Sequence, residues 1–413
     1  MASNHGPLVV DVDSHVSEPP AIWSEYLDPE VTEAARRVFW LEDGAVMLNG
    51  VPATPLNRSR INRQAVWRPG MTLEQIGGLD PSVDPGVNPG AADPASRLAD
   101  MDKLGIDHQI VLPTLFSEYF PCAEDVTVAV ALARAYNDWA NDLAASGDGR
   151  LHPAAVLPTQ DPEAAVAELE RVAGLGFRSV ALRPMFYRVP DATPELNPLL
   201  GQPGPVNPNG VYIDHAAFRP LWQRIEELGL VACVHPSLGI TNREATSEGS
   251  YVERVSAKLG IGHTVAEPVA YLQDNAMFVV VAAFHGLLED YPRLRLALLH
   301  SGAAMVLLAL EKAETYLWLA PSTMVGDNPV SLEPEEVFRR SRVLVGFDGW
   351  ESSVLRLPDF FATRGAWGSR YPNHDTSTPA EALALCEQYE VGPETVERLL
   401  GRNAADLFGL PVG

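Results

Sequence analysis

Eight short apolar runs, each bounded by turn residues and separated by longer helical stretches, constrain this chain most. They are LVVDVDSH (Leu8–His15), IDHQIVLPT (Ile106–Thr114), LHPAAVLPT (Leu151–Thr159), FRSVALRP (Phe177–Pro184), LVACVHPS (Leu230–Ser237), RLALLHSG (Arg295–Gly302), RVLVGFDG (Arg342–Gly349) and GAWGSRYP (Gly365–Pro372). Near-continuous hydrophobic strands suit a parallel sheet buried on both faces. The stretches between them read as helices. PASRLADMDKLG precedes the second run, DPEAAVAELERVAGLG opens on an Asp cap with Pro in the first turn and ends on Gly, and FRPLWQRIEELG and EPVAYLQDNAMFVVVAAFHGLLEDYP carry similar signals. A β-α unit repeated about eight times predicts an α/β fold, a closed (β/α)8 TIM barrel. A doubly wound open sheet is the alternative, but no glycine-rich phosphate loop supports it.

The 413 residues, 46% hydrophobic and 20% charged, are expected to form a single domain, 1–413. Two Pro-rich segments, about 27–93 and 185–209, interrupt the pattern and are expected to be insertions over the C-terminal mouth of the barrel. The first carries a hairpin signal at FWLEDGAVMLNG, and Pro379 to Leu410 reads as two helices. With 54 acidic against 30 basic residues, the net charge of −24 argues against nucleic acid or an anionic membrane as the main partner. Cys122, Cys233 and Cys386 are scattered and form no CxxC motif, so a reduced, cytoplasmic setting with buried thiols is expected. No signal-peptide pattern and no apolar run of transmembrane length is evident.

Chemistry in a barrel belongs at the C-terminal ends of strands. His108 and His152 start strands and so face the wrong end, while His5, His215, His263 and His285 fall in the terminus, loops or helices. His15, His235 and His300 each end an apolar run, and three such histidines on different strands would meet at one mouth. Asp11, Asp13 and His15 alternate along the first run, which predicts that all three face the barrel interior. An inward Asp beside His is expensive to bury unless it meets a cation or donors. Asp13, His15 and His235 make a candidate three-ligand divalent site.

The stretches DVDSHVSEP, VHPS, FHGLLEDYPRLRLALLHSG and LLGRNAADLF, in that order from Leu8 to Leu410, resemble the amidohydrolase-2 branch of the amidohydrolase superfamily. That branch includes aminocarboxymuconate-semialdehyde decarboxylase and related aromatic-acid decarboxylases and hydrolases. The resemblance implies a (β/α)8 barrel with a single divalent metal. It places the first metal pair on Asp13 and His15, a further ligand on His235 and the catalytic histidine on His300. The family's last ligand is an aspartate in a motif resembling Gly-Ser-Asp-Tyr-Pro-His. Here the match is GSRYPNH, with Arg370 in the aspartate's place, Asn373 in that of the histidine, and His374 displaced by one. Asp348 in GFDG is the alternative for that ligand, and Glu18 is another candidate.

Arginine is always charged and is not an ordinary metal ligand. Two versions of the site follow. In one, Asp13, His15 and His235 hold zinc or manganese and His300 moves a proton. In the other no metal is bound, and Arg370 neutralises Asp13 and grips a substrate anion. An arginine turned aside into a surface ion pair is the plainer alternative. His235, His300 and Arg370 are the candidate catalytic residues; Arg370, His374 and Trp350 are candidates for substrate binding. The expected function is decarboxylation, or another lyase-type proton-transfer reaction, on a small, anionic organic or aromatic acid. A metal-dependent hydrolase of a C–N, C–O or C–C bond is the second reading, and an inactive small-molecule binding protein the third. The resemblance makes a homodimer a reasonable assembly.

Overall fold

The computed structural model describes residues 6–42, 45–52, 65–80, 82–184, 187–189, 196–197, 202–203, 210–211, 213–236, 266–284, 286–300, 302–319 and 334–412. All eight apolar runs are strands of one parallel sheet: β1 (Val10–His15), β2 (His108–Leu112), β3 (Leu151–Ala155), β4 (Ser179–Leu182), β5 (Val231–Val234), β6 (Arg295–Leu298), β7 (Arg342–Phe347) and β8 (Gly365–Trp367). They lie side by side in chain order, as a right-handed β-α repeat requires.

Closure between β8 and β1 is made just past the end of β8. Arg370 N–H donates to Asp13 O at 2.6 Å, and His15 N–H donates to Tyr371 O at 2.6 Å. Gly368 permits the approach: a Cβ there would lie 2.5 Å from the Asp13 Cβ. Any other residue would push the first and last strands apart.

The helices follow their sequence signals. α1 (Pro94–Leu104) is capped by Asp93, which accepts from Ser96 N–H at 2.7 Å. α2 (Val126–Ala145) is capped by Asp125, and α3 (Pro162–Leu175) by Asp161, with Gly176 at φ 94° ending it in the left-handed conformation. α4 (Arg219–Leu228), α5 (Ala266–Phe284), α6 (Ala303–Leu319), α7 (Pro334–Arg340) and α8 (Pro379–Gln388) complete the outer layer. The long apolar stretch read as one helix before β6 breaks at Gly286, after which a turn, Leu287–Asp290, leads into the strand. No helix among the described residues is long and apolar enough to cross a membrane.

Side chains divide into two layers. Val10, Val12, Ile110, Ala154, Cys233, Ala297, Leu344 and Ala366 fill the barrel interior. Leu132, Leu169, Trp222, Phe278 and their neighbours fill the space between strands and helices. Cys233 and Cys386 are buried, whereas Cys122 is partly exposed, so the expectation of three buried thiols holds for two.

The hairpin signal is met by Phe39–Glu42 paired antiparallel with Ala45–Leu48. Farther along the first Pro-rich segment, Trp67 and Ile76 pack on Tyr371 just past β8. The second segment, 185–209, lies almost wholly outside the described residues, as do His5, His263 and His285.

Candidate active site at the C-terminal mouth

The site starts with an irregularity in β1. Val10 pairs with His108 and Asp11 with Gln109, but Ser14 pairs with Val111 and His15 with Leu112, so one extra residue is inserted on β1. Val12 and Asp13 therefore both turn inward: Val12 joins the interior cluster while Asp13 reaches His235 and His300. Strict alternation fails here, which corrects the expectation that Asp11 shares a side with Asp13 and His15. Asp11 instead accepts from Gln109 Nε2 at 3.0 Å, from Ser369 N–H at 2.8 Å and from Ser369 Oγ at 2.5 Å. Its carboxylate ties β1 to the chain beyond β8. Burial pushes it up to about 6, against the lowering effect of the Ser369 hydrogen bonds.

Arg97, fully buried on α1, fastens the same strand from outside. It donates to His15 O, to Ser14 Oγ at 3.3 Å, to Gln109 Oε1 at 3.2 Å and to Gly90 O at 2.8 Å. Glu18 is also structural. Its carboxylate accepts from the backbone N–H groups of Thr114, Leu115 and Phe116 at 2.8–3.1 Å, fixing the turn after β2. Both its oxygens are turned to that backbone.

The three strand-end histidines converge on Asp13. His15 Nε2 lies 3.3 Å and His235 Nε2 3.6 Å from Asp13 Oδ1, and His300 Nδ1 lies 3.8 Å from Oδ2. The His15 and His235 ring centroids are 5.0 Å apart, and those of His235 and His300 5.1 Å. His235 continues the inward row of Val231 and Cys233. His300 follows the inward Leu299, so simple alternation would turn it outward. Its backbone adopts φ 51°, a conformation uncommon for a non-glycine residue, and the ring still reaches Asp13.

Electrostatics favour a cation between these groups. Burial alone would raise the Asp13 carboxyl, but contacts with His15 and His300 and the charge of His235 outweigh it and hold Asp13 well below the usual carboxylate range. Burial pushes His235 down to about 3 against the pull of Asp13, so its ring is neutral at pH 7. Its Nδ1 faces Pro236 O at 2.6 Å, which leaves Nε2 directed at Asp13 with its lone pair. Among the described residues, Asp13 Oδ1 and His235 Nε2 are buried without a hydrogen-bond partner. One ligand atom from each of Asp13, His15 and His235 lies within 4.8 Å of the others. One carboxylate and two imidazoles with unsatisfied inward atoms fit a divalent cation with open coordination positions.

Arg370 stands at the same mouth but leans away. Its Nη2 lies 3.5 Å from Asp348 Oδ2, its Nε lies 3.5 Å from Asp375 Oδ2, and its Cζ sits 6.0 Å from the Trp350 ring centroid. Its backbone also has positive φ, 62°. Asp348 therefore serves the guanidinium and, through Oδ1, the Trp350 N–H at 2.9 Å. Behind it, Glu351 accepts from Asp348 N–H and Ala303 N–H, both at 3.2 Å, and so links the turns that carry Asp348 and His300. Burial, then the Asp348 charge, pushes Glu351 up to about 7. Trp350 is half exposed, with Nε1 donating to Glu381 at 3.3 Å, and His374 lies in the turn beside Asp375.

His108 and His152 contact each other at 3.1 Å at the opposite end of the barrel, and His215 caps a helical turn through Ala217 N–H. Arg97, Asp375 and Glu351 gave no motif to find them by. Arg183, buried beside His235 at the end of β4, ends an apolar run just as the histidines do. The same strand-end criterion would have selected it.

A family model described as Amidohydrolase matches residues 11–410. Among curated proteins, the 6-methylsalicylic acid decarboxylase of Penicillium expansum is 28% identical over 203 residues, 48% of this chain and 55% of that protein. The chain thus spans about half the length of this relative. An amidohydrolase structure from Mycobacterium avium subsp. paratuberculosis K-10 superimposes with a TM-score of 0.71 at 21% identity, covering 100% of both chains. A dihydroxybenzoic acid decarboxylase from Polaromonas sp. JS666, solved with bound manganese and 2-nitroresorcinol, gives 0.60 at 17% identity over 99% of this chain and 98% of its own. These two likenesses concern the fold, which is that of a (β/α)8 barrel. With the family match covering nearly the whole sequence, the chain belongs to the Amidohydrolase family.

Proposed function

We propose that the protein is a lyase that removes the carboxyl group of a small aromatic acid, with a divalent cation held by Asp13, His15 and His235. The convergence of one ionised carboxylate and three histidines on a single buried point carries this reading. The decarboxylase relative, matched over half its length, supports the reaction class. Manganese in the Polaromonas structure supports zinc or manganese as the ion. Such an ion, when bound, supplies a Lewis acid for an oxygen of the substrate.

The chain's own residues do the rest. His300 delivers the proton that replaces the departing carboxyl group on the ring carbon, while the C–C bonding pair stays with the ring and carbon dioxide leaves. Arg370 shares its charge with Asp348 and Asp375, so it stands beside the Asp13 cluster without occupying it. There its guanidinium offers hydrogen-bond donors to the substrate carboxylate at short range. Hydrolysis, which would use a water activated on the same cation, is the second reading; the decarboxylase relative ranks it behind decarboxylation. We further infer a single domain, a cytoplasmic location and a homodimer; the unpaired cysteines support the second, and the family resemblance supports the third.

The test is product identity. Metal-reconstituted protein is incubated with a panel of hydroxybenzoic acids, and headspace carbon dioxide and ring product are measured together. Equal amounts of both support the proposal; a product formed without carbon dioxide refutes it.

A further inference from the structure

The turn that carries His300 has a backbone that needs support. His300 has φ 51° and Gly302 φ 66°, so the chain leaves β6 through the left-handed region. A non-glycine residue keeps that conformation only where its surroundings hold it. The flanking residues supply the hold. On one side, Leu299 N–H donates to Val234 O at 2.9 Å, and Asn275 Nδ2, buried on α5, donates to Leu299 O at 2.9 Å. On the other side, Ala303 N–H donates to Glu351 Oε1 at 3.2 Å.

Ala303 is the first residue of α6, so its N–H has no acceptor within the helix. The second carboxylate oxygen, Glu351 Oε2, accepts from Asp348 N–H at 3.2 Å on the turn after β7. A Cβ at Gly302 would lie 3.3 Å from Glu351 Oε1, so the carboxylate rests directly on the turn beyond His300. β6 and β7 pair as far as Leu298 and Val345. Farther out, Glu351 joins the turn of His300 to the turn of Asp348, whose carboxylate faces Arg370 at 3.5 Å.

We propose that Glu351 is a positioning residue for proton delivery: its carboxylate, with one backbone N–H on each oxygen, holds the turn after β6 so that the His300 ring is presented at the Asp13 centre. The inference rests on the decarboxylase reading, in which His300 moves the proton. Glu351 acts through the backbone beyond His300 and leaves the residues that would hold the cation in place. A glutamine at this position has one acceptor oxygen for the two N–H groups, and its NH2 meets the other. The turn then shifts, and a displacement of about 1 Å is enough to cost a large rate factor. The loss falls on kcat.

The test compares full-length wild type, Glu351→Gln, His300→Ala and the double variant, each loaded with manganese. Glu351→Gln lowers kcat by about tenfold or more, while KM and the manganese Kd stay within about twofold of wild type. In the His300→Ala background the same change costs less than about twofold, because the turn no longer carries a donor to position. Ala303→Pro deletes the N–H at a first-turn helical position that suits proline, breaks the same hydrogen bond from the other side, and gives the same pattern. It decides the matter if Glu351→Gln does not fold. In zinc-loaded protein with isotope-labelled histidine, the His300 ring resonances, assigned by their loss in His300→Ala, move in Glu351→Gln, and those of His15 and His235 stay. Unchanged kcat, an equal loss in both backgrounds, weakened manganese binding, or unmoved His300 resonances overturns the proposal. If wild type releases carbon dioxide from no aromatic acid, decarboxylation fails, and the histidine spectra alone decide whether Glu351 positions His300.

Discussion

Arg370→Asp is the most informative single change. At 3.5 Å, each of the guanidinium's pairs with Asp348 and Asp375 has a gross attraction of about 5 kcal/mol at an effective dielectric constant near 20. The two carboxylates are 21% and 35% exposed, so solvent screening leaves on the order of 1 kcal/mol for each. The substitution turns one positive and two negative charges into three negative ones. The metal-free variant loses both attractions and gains repulsions of similar size, for a total cost on the order of 3 kcal/mol. The backbone adds little, because aspartate tolerates φ 62° better than most residues. Manganese should offset the loss. An ion at a hundredfold excess over its Kd stabilises a fold by about 2.7 kcal/mol, and the added oxygen beside Asp13 should tighten Kd at least tenfold. Thermal melts with and without manganese, together with calorimetric titration, give both quantities. The variant should melt below wild type without metal, recover with it, and lose turnover because the substrate anion has no guanidinium. Manganese affinity equal to wild type with turnover retained would refute the reasoning.

Three further outcomes are expected. His300→Ala should lower kcat by about 10²-fold or more, read by carbon dioxide release, with manganese affinity nearly unchanged. Gly368→Ala should cost about 1–3 kcal/mol in a melt, because its methyl group meets Asp13 across the closure, and should weaken manganese binding as Asp13 shifts. His152 is held at about 3 by burial and by His108, against an ordinary 6.5. Its folded-state value is depressed, so its share of stability is complete above about pH 6.5 and is lost as pH falls toward 3. His152→Gln should flatten that part of the stability–pH curve.

The barrel was legible because parallel strands buried on both faces need continuous apolar runs, and all eight runs became strands in order. His15, His235 and His300 were legible because each interrupts such a run at its end. The inserted residue in β1 left no mark in DVDSH, and it alone decides that Asp13 turns inward with Val12 while Asp11 turns to Ser369. Glu18 looked like a spare ligand, but its role depends on where the turn after β2 passes, a long-range fact. Arg370 could be located from the resemblance, yet its direction could not. Asp348 and Asp375, on two different turns, set it.

Metal dependence of carbon dioxide release tests the central claim most directly. Wild type and Asp13→Asn are stripped with chelator, retitrated with manganese, and assayed for bound metal and for carbon dioxide from the best acid of the panel. The account predicts one ion per chain in wild type, turnover rising in step with occupancy, and neither in Asp13→Asn. Full turnover by metal-free wild type, or by Asp13→Asn, would contradict it.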